Sequence, residues 1–346
     1  MRTAVTGGAG FIGSHLVEYL VDHGDDVAVI DNLSTGRLDN LQEVLGHPRL
    51  RFVEGTILDE RAVDEVVGGA DRVFHLAAAV GVHLIVDHPL ESLRTNIHGT
   101  EVVLDASLVA GATLLLASTS EVYGKNTADS LPEDSDRILG SALKSRWTYA
   151  AAKGIDEAFA HAYWREFGLQ VSIVRLFNTV GPRQTGRYGM VVPNLVGQAL
   201  RGEPLTVFGD GQQTRCFSYV DDVVPAMVRI AENSACTGQA LNLGGSFEIS
   251  ILQLAHRIIG LLDSKSPVTL VPYAQAYGQG YEDMRRRVPD NTKARRLVGF
   301  DPTTPLDEII LNVAEDRSAV LAASTTGPPD QQPLALTGQR TPGGVD

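Results

Sequence analysis

A glycine-rich segment near the start of the chain constrains its fold more than any other feature. In TAVTGGAGFIGSHL, Gly7, Gly10 and Gly13 follow an apolar stretch of strand length and open a stretch with helical periodicity. Glycine permits a tight turn and a close approach of the backbone to a pyrophosphate, and the N-terminus of the following helix favours an anion. The spacing therefore predicts a strand, a turn and a helix that bind a dinucleotide.

Apolar runs of strand length alternate with helical segments through the first half of the chain. This alternation is typical of a parallel sheet covered by helices on both faces, so we predict an α/β, doubly wound (Rossmann) fold. Predicted helices begin at Phe11, Glu60 and Leu90, and a long one spans Thr148–Phe167. The predicted strands are Thr3–Thr6, Asp26–Asp31, Leu50–Glu54, Arg72–Leu76, Thr113–Ser118 and Gln170–Arg175.

The alternation loosens near Asn178, where Gly- and Pro-rich turns separate shorter elements. We predict a dinucleotide-binding domain over residues 1–177 and a smaller mixed α/β substrate lobe over residues 178–316, interleaved with the first. Residues 324–346 are rich in Gly, Pro, Gln and Thr, and this composition predicts a disordered tail.

The second predicted strand, DVAVIDN, ends in Asp31. A carboxylate at this position accepts hydrogen bonds from a ribose diol and repels a 2′-phosphate. The sequence therefore favours NAD over NADP.

Tyr149 and Lys153 in RWTYAAAKGIDEAF lie four residues apart, on one face of the long helix. A phenol is a poor base at neutral pH, but an ammonium one turn away and a nicotinamide cation would both stabilise the phenolate. Tyr149 is then predicted to deprotonate a substrate hydroxyl.

Composition limits the partners of the chain. It has 29 basic and 42 acidic residues and a net charge of −13, which disfavours nucleic acid and anionic membranes. No signal-peptide pattern and no apolar run of about 20 residues is evident, so a cytoplasmic location is predicted. The two cysteines, Cys216 and Cys236, lack metal-ligand spacing and are predicted to be inert thiols, with no metal site.

These motifs together resemble the extended short-chain dehydrogenase/reductases that act on nucleotide sugars, over roughly residues 1–311. The resemblance includes the glycines, the strand that ends in Ser-Thr and the Tyr-x-x-x-Lys pair. It implies an NAD domain, a lobe that binds a nucleoside diphosphate, and a homodimer formed through a four-helix bundle. Further matching segments are TNIHGT, RLFNTVGPR, GEPLTVFGDGQQTRCFSYVDDV and LNLGG.

Within this superfamily, the stretch LLLASTSEVYG at residues 114–124 is informative because Glu121 follows Thr119 and Ser120. The 4-epimerases usually carry small residues there, and the 4,6-dehydratases carry an Asp-Glu pair. The stretch resembles the UDP-glucuronate decarboxylases, as do RWTY and YGQGYEDMRRRVPD, in which Arg287 aligns with the catalytic arginine of those enzymes.

The resemblance implies a reaction in which C4 of UDP-glucuronate is oxidised, CO₂ is lost from the resulting β-keto acid, and re-reduction gives UDP-xylose. The enolate must be protonated at C5, either by a protonated Glu121 or by water held by Glu121 and Arg287. Thr119 and Ser120 would hydrogen-bond the C4 oxygen and the carboxylate. Release of the 4-keto pentose before reduction is left open.

The resemblance also assigns binding residues. For the UDP-sugar, Arg215 and Arg285 would bind the diphosphate, Phe208 would pack on uracil, and Asn178 would bind the sugar. Val192, Arg94 and Arg187 complete this set. The predicted NAD-binding residues are Gly7, Gly10, Phe11, Ile12, Gly13, Asp31, Asn32, Ser34, Thr35, Gly36, Thr56, Ile57, Leu76, Ala77, Ala78, Asn96, Tyr149 and Lys153.

Two other functions are compatible with parts of this pattern. A UDP-hexose 4-epimerase would use the same cofactor site and the same tyrosine and lysine. A redox-inactive NAD sensor would be expected to have lost Tyr149 or Lys153, and both are present.

Overall fold

The computed structural model describes residues 1–79, 89–186, 190–277 and 282–326. Its centre is a seven-stranded, fully parallel sheet with strand order β11-β6-β5-β4-β1-β2-β3. The strands are β1 (Arg2–Thr6), β2 (Asp26–Asp31), β3 (Leu50–Glu54), β4 (Arg72–His75), β5 (Thr113–Thr119), β6 (Val171–Phe177) and β11 (Ala240–Gly244).

Helices cover both faces of this sheet, as the doubly wound prediction requires. One apolar core lies between the sheet and α1 (Phe11–Asp22) and α6 (Val220–Glu232). The opposite core involves α2 (Glu60–Val67), α3 (Pro89–Ala110) and α4 (Thr148–Phe167). Because both faces are covered, the central strands are almost continuously buried.

Shorter elements complete the C-terminal half. They include three two-stranded sheets, β7 (Thr179–Val180) with β10 (Ser218–Tyr219), β8 (Leu205–Phe208) with β13 (Val268–Val271), and β9 (Thr214–Cys216) with β12 (Glu248–Ser250). The helices are α5 (Val191–Leu200), α7 (Ile251–Leu261), α8 (Tyr273–Tyr277), α9 (Thr292–Val298) and α10 (Leu306–Thr326).

The two halves of the chain share the central sheet. Strand β11 comes from the C-terminal half but pairs with β6 at the sheet edge. The division at residue 178 stays a prediction. Of the predicted tail, residues 324–326 belong to α10, and residues 327–346 lie outside the described part of the chain.

The switch in strand order positions the site. Strand β1 lies between β2 and β4. The helix that follows β1 packs on one face of the sheet, and the helices before and after β4 pack on the other face. In such sheets ligands bind beyond the carboxyl ends of the strands at this switch.

Candidate active site

A continuous cavity of about 810 Å³ lies at the carboxyl ends of the central strands and extends to the C-terminal lobe. Its volume suits a ligand of nucleotide size. All six predicted catalytic residues line it, namely Thr119, Ser120, Glu121, Tyr149, Lys153 and Arg287. The predicted substrate residues Asn178, Val192, Phe208 and Arg215 also line it.

The glycine-rich turn forms one end of this cavity. Gly7 has φ +73°, and a Cβ there would lie 2.7 Å from the backbone nitrogen of Ala77. A Cβ at Gly13 would lie 2.1 Å from the carbonyl oxygen of Gly7. A side chain is therefore excluded at both glycines, so the turn between β1 and α1 can approach a pyrophosphate closely with its backbone.

Most of the predicted cofactor residues line this end of the cavity. They are Gly7, Gly10, Phe11, Ile12, Gly13, Asp31, Asn32, Ser34, Thr35, Thr56, Ile57, Leu76, Ala77, Ala78, Tyr149 and Lys153. Gly36 is not among the lining residues. A Cβ on Gly36 would lie 2.8 Å from the carbonyl carbon of Ala9, so Gly36 packs against the Ala9 backbone. Asn96 does not line the cavity either. Its buried side-chain amide accepts a hydrogen bond from the N–H of Ala79 at 2.8 Å and donates one to the Ala79 carbonyl oxygen at 3.2 Å.

Asp31 ends β2 and faces the cavity from a buried position. Its carboxylate accepts hydrogen bonds from the N–H groups of Leu33, at 2.8 Å, and Ala9, at 3.0 Å. Burial raises the pKa of Asp31, and these two hydrogen bonds oppose the rise. The backbone thus fixes the orientation of this carboxylate at the cavity wall.

Tyr149 and Lys153 lie in the first turns of α4 and line the same cavity. Lys153 is buried, and its Nζ lies 3.1 Å from Oδ2 of Asp156. Burial and the carboxylates of Glu121 and Asp156 raise the pKa of Tyr149 far above its usual range. The protein alone therefore keeps the phenol protonated, and a further cation is needed to make it a base.

Glu121 lies in a short 3₁₀ helix, Ser120–Tyr123, that follows β5 directly. Its N–H donates to the hydroxyl of Thr119 at 3.2 Å. Arg146 and Arg287 each donate to one oxygen of the Glu121 carboxylate, at 2.5 Å. Burial opposes ionisation, but the two guanidiniums outweigh it and hold the pKa of Glu121 well below its usual range.

This ionisation decides between the two roles predicted for Glu121. A carboxylate held between two arginines has no proton to donate, so the interpretation of Glu121 as a protonated acid is disfavoured. The alternative, in which Glu121 and Arg287 hold a water molecule, agrees with the geometry. Arg146 was not among the predicted site residues, although it lies in the RWTY segment, three positions before Tyr149 on the approach to α4.

Arg287 connects Glu121 to the C-terminal lobe. Its second terminal nitrogen donates to Oδ1 of Asn178 at 2.9 Å. The Asn178 amide in turn donates to the carbonyl oxygen of Cys216 at 2.8 Å. Asn178 has φ +40°, a conformation that asparagine tolerates better than most residues, and it follows β6 immediately.

Arg215 also lines the cavity, and several hydrogen bonds hold its guanidinium in place. It donates to the carbonyl oxygens of Thr214 and Met284, both at 2.8 Å, and to both oxygens of Asp283 at 3.2 Å. Asp283 also accepts a hydrogen bond from the Tyr273 hydroxyl at 2.9 Å. Both Asp283 and Tyr273 line the cavity, and neither was predicted from the sequence.

Two predicted substrate residues lie elsewhere. The Arg285 side chain is 73% exposed and pairs with Asp210 at 2.7 Å, outside the cavity lining. Arg94 is exposed on α3 and does not line the cavity. Neither side chain lines the cavity, because residues on one short segment or helix point in different directions, and the binding roles of both stay predictions. Arg187 lies outside the described residues.

Three further features complete the description. Cys216 and Cys236 are free and buried, as predicted. In residues 1–79, 89–186, 190–277 and 282–326, no group of three or more His, Cys, Asp or Glu side chains is arranged to hold a metal. No helix within those same ranges has the length and apolarity needed to cross a bilayer.

Comparison with known proteins places the chain among nucleotide-sugar enzymes. Residues 4–313 match the family model described as GDP-mannose 4,6 dehydratase. A UDP-N-acetyl-alpha-D-glucosaminuronate decarboxylase of Bacillus cytotoxicus is 40% identical over 89% of this chain and 94% of its own length. UDP-glucuronic acid decarboxylase 1 of Danio rerio is 37% identical over 89% of this chain and 70% of its own length.

Solved structures also resemble it. The UDP-glucuronic acid 4-epimerase of Bacillus cereus, in complex with UDP-glucuronic acid and NAD, superposes with a TM-score of 0.83. It is 28% identical, and the match covers 92% of this chain and all of that one. The similarity thus includes both decarboxylases and an epimerase that share a uronate substrate class.

Proposed function

Because the chain belongs to the GDP-mannose 4,6 dehydratase family of extended short-chain dehydrogenase/reductases, we propose that it is an NAD-dependent UDP-glucuronate decarboxylase. It oxidises C4 of the sugar, releases CO₂ and forms UDP-xylose by way of a UDP-4-keto pentose. The observation that carries this proposal is Glu121, held as a carboxylate between Arg146 and Arg287 in the same cavity as Tyr149 and Lys153.

The charge balance of this region supports a substrate with its own carboxylate. In the described part of the chain, ion pairs join Arg146, Arg215 and Arg287 to the two carboxylates Glu121 and Asp283, and these five side chains together have a net charge of +1. These side chains are largely buried, and a low-dielectric environment strengthens such interactions. In a UDP-uronate, both the sugar carboxylate and the diphosphate would be attracted by this excess of positive charge. In a UDP-hexose, only the diphosphate would be attracted, because the sugar is neutral.

NAD fits the other end of the cavity, where the side-chain-free glycine turn and the oriented Asp31 carboxylate lie. When bound, it accepts a hydride from C4 and later returns it. Because the pKa of Tyr149 is raised, its phenol would become a base only near a cation, and the oxidised cofactor would supply that charge. Tyr149 then takes the C4 hydroxyl proton, and the buried Lys153 ammonium stabilises the resulting phenolate.

The chain's own residues also account for the loss of CO₂. Oxidation at C4 makes the C6 carboxylate part of a β-keto acid, whose C5–C6 electrons flow into the C4 carbonyl as CO₂ leaves. Thr119 and Ser120 line the cavity, and their hydroxyls would hydrogen-bond the developing enolate oxygen. A water molecule oriented by Glu121 and Arg287 protonates C5, and Tyr149 returns its proton to the C4 oxygen during re-reduction.

Substrate binding is assigned to the C-terminal lobe. Arg215 binds the diphosphate, with Asp283 and two carbonyl oxygens holding its guanidinium at the cavity wall. Asn178, fixed between Arg287 and Cys216, binds the sugar. Phe208 and Val192 pack against the nucleoside.

One experiment tests the reaction. With NAD and UDP-glucuronate in deuterated water, we expect CO₂ release and a UDP-pentose that carries deuterium at C5, because that proton comes from solvent. Mass analysis and proton NMR of the product measure both. UDP-N-acetylglucosaminuronate should be assayed in parallel, since the Bacillus cytotoxicus relative is named for it. The same C4–C6 chemistry applies to both sugars, so the ratio of kcat/KM values identifies the preferred C2 substituent.

A 4-epimerase is the second candidate, and the likeness to the Bacillus cereus enzyme favours it specifically for a uronate. An epimerase would return the C4 epimer with its carboxyl group intact and no deuterium at C5. That outcome would overturn the decarboxylase assignment.

The Asp31 carboxylate predicts the choice of cofactor. A 2′-phosphate beside it would be repelled and left without a partner, so NAD should bind at least 10²-fold more tightly than NADP. Asp31→Asn should narrow this ratio, whereas Asp26→Asn, at the exposed start of the same strand, should leave it unchanged. Calorimetric titration of each cofactor measures the ratio, and equal affinities in the unaltered protein would contradict the assignment.

A homodimer formed through a four-helix bundle, a cytoplasmic location and the absence of nucleic-acid partners remain predictions. Helices α3 and α4 pack side by side and carry Val109, 89% exposed, and Ile155, 43% exposed. Such exposed apolar side chains on paired helices are compatible with a bundle shared by two subunits. Sedimentation analysis of the purified protein would measure the oligomeric state.

A further inference from the structure

A chain of buried polar side chains extends beneath the active site, from β1 to α4. The Thr6 hydroxyl lies 2.7 Å from Nδ1 of His75, and Nε2 of His75 lies 3.0 Å from the hydroxyl of Thr100. The Thr100 hydroxyl acts to lower the pKa of the neighbouring Asp156 carboxyl, which pairs with Lys153 at 3.1 Å. All five residues are at most 2% exposed.

The hydrogen-bond pattern gives this chain one consistent direction. Thr6 accepts from the N–H of Ala77 at 3.2 Å, so its own O–H is available to donate to Nδ1 of His75. Nε2 then carries the proton and donates to the Thr100 hydroxyl. Burial and the nearby Lys153 charge lower the pKa of His75 to about 3, which agrees with a neutral ring that both accepts and donates.

We propose that Asp156 is a positioning residue for the catalytic pair. It holds the Lys153 ammonium in place and sets the pH range in which Tyr149 exchanges its proton. Among the described residues Lys153 has no other carboxylate within ion-pair distance. The inference rests on the proposed role of Tyr149 as the base.

The other charges near this pair are already neutralised. On α4 itself, Glu157 accepts two hydrogen bonds from Arg175 of β6, at 2.9 and 2.7 Å, and one from Ser118 of β5. Glu121 faces Tyr149 from the 3₁₀ helix and is paired with Arg146 and Arg287. Asp156 is thus the carboxylate whose partner is the catalytic lysine.

Removing the Asp156 charge has a definite electrostatic sign. Asp156 raises the pKa of Tyr149, and an anion favours the protonated form of every neighbouring group. In Asp156→Asn both limbs of the bell-shaped pH–kcat profile should therefore move to lower pH, by about one unit. KM for the UDP-sugar should change little, because Asp156 does not line the cavity.

Three variants test this role. Asp156→Asn is compared with Asp105→Asn, which removes a carboxylate that accepts a hydrogen bond from Tyr163 on the outer side of the same helix pair. Thr100→Val keeps the side-chain shape but breaks the link to His75, and it should move the profile in the same direction by less. If Asp156→Asn does not fold, Thr100→Val still gives the answer.

Two readouts separate this inference from the proposed function. The first is the pH profile of CO₂ release from UDP-glucuronate. The second needs no turnover: ¹³C NMR of ζ-carbon-labelled tyrosine in the NAD-saturated protein, with Tyr149→Phe used to assign the resonance. We expect the Tyr149 titration to move to lower pH in Asp156→Asn and to stay in place in Asp105→Asn. The proposal is wrong if the Tyr149 titration in Asp156→Asn does not move, or if activity falls while the pH profile of CO₂ release stays in place. Asp156 would then contribute only to packing.

Discussion

Replacing Tyr149 by phenylalanine is expected to lower kcat for CO₂ release by at least 10²–10⁴-fold, about the contribution of a positioned acid–base group. The hydroxyl is the group on α4 that can exchange a proton with the C4 oxygen, and its loss stops the reaction before any carbon–carbon bond is broken. The ring itself remains, so the cavity wall keeps its shape. Binding of NAD and of the UDP-sugar should therefore be nearly unchanged.

The matched control for this change lies on the same helix. Tyr163 donates to Asp105 at 2.6 Å, away from the cavity, so Tyr163→Phe removes an equivalent hydroxyl. It should retain full activity. Steady-state rates and calorimetric titrations distinguish the two variants, and a Tyr149→Phe protein with most of its activity would remove Tyr149 from the mechanism.

Much of the fold was predictable from local sequence. The bounds of β2, β3 and α4 agree with the predicted ones, because each is a periodic or apolar run that ends at polar or glycine residues. Strands β5 and β6 extend one and two residues beyond the prediction. The extra residues pair with distant strands, Thr119 with Leu176 and Phe177 with Gly244, and local sequence does not contain that information.

The site was predictable where a motif fixes both residue type and direction. The RRR run at residues 285–287 lacks such a motif. In the structure its members face three ways: Arg285 pairs with Asp210, Arg286 with Glu248, and Arg287 enters the cavity. The family resemblance selected Arg287, which lines the cavity, and also Arg285, which is exposed and lies outside the cavity lining.

Site residues that contact one another are far apart in the sequence. Glu121 and Arg287 are 166 positions apart, and Arg215 and Asp283 are 68 apart. The pairing of β12 with β9 and the hydrogen bond from Thr214 to the Arg285 carbonyl bring the last of these segments together. A sequence suggests that a charged residue needs a partner, but only the folded chain determines which one.

Glu121→Gln is expected to slow CO₂ release and product formation by about 10²–10⁴-fold while leaving NAD binding unchanged. The amide keeps the shape of the side chain but removes the charge that both arginines contact at 2.5 Å. Breaking a buried ion pair can also cost about 3–5 kcal/mol of folding free energy, so thermal unfolding should be measured alongside activity. Arg287→Ala should impair the same step, because the substrate carboxylate and the C5 water lose their orientation.

The pair of variants is more informative than either alone. If Glu121 and Arg287 act on one step, the double variant should be less impaired than the product of the two single defects predicts. The neighbouring Glu248–Arg286 pair, with contacts of 2.8 and 2.9 Å outside the cavity, provides matched controls in Glu248→Gln and Arg286→Ala. Both controls should stay active.

The stage at which Glu121→Gln fails is the decisive measurement. Tyr149 and Lys153 are intact in this variant, so C4 should still be oxidised, and C4-oxidised UDP-sugar should accumulate while C5 deuterium incorporation falls. Tyr149→Phe should accumulate no oxidised sugar at all. Because Glu121 lies between two guanidiniums that outweigh its burial and lower its pKa, we expect its carboxylate to act by orienting water rather than by donating a proton. Unchanged rates of CO₂ release and C5 labelling in a folded Glu121→Gln protein would refute this role. The reaction would then depend on Tyr149 and Lys153 without Glu121.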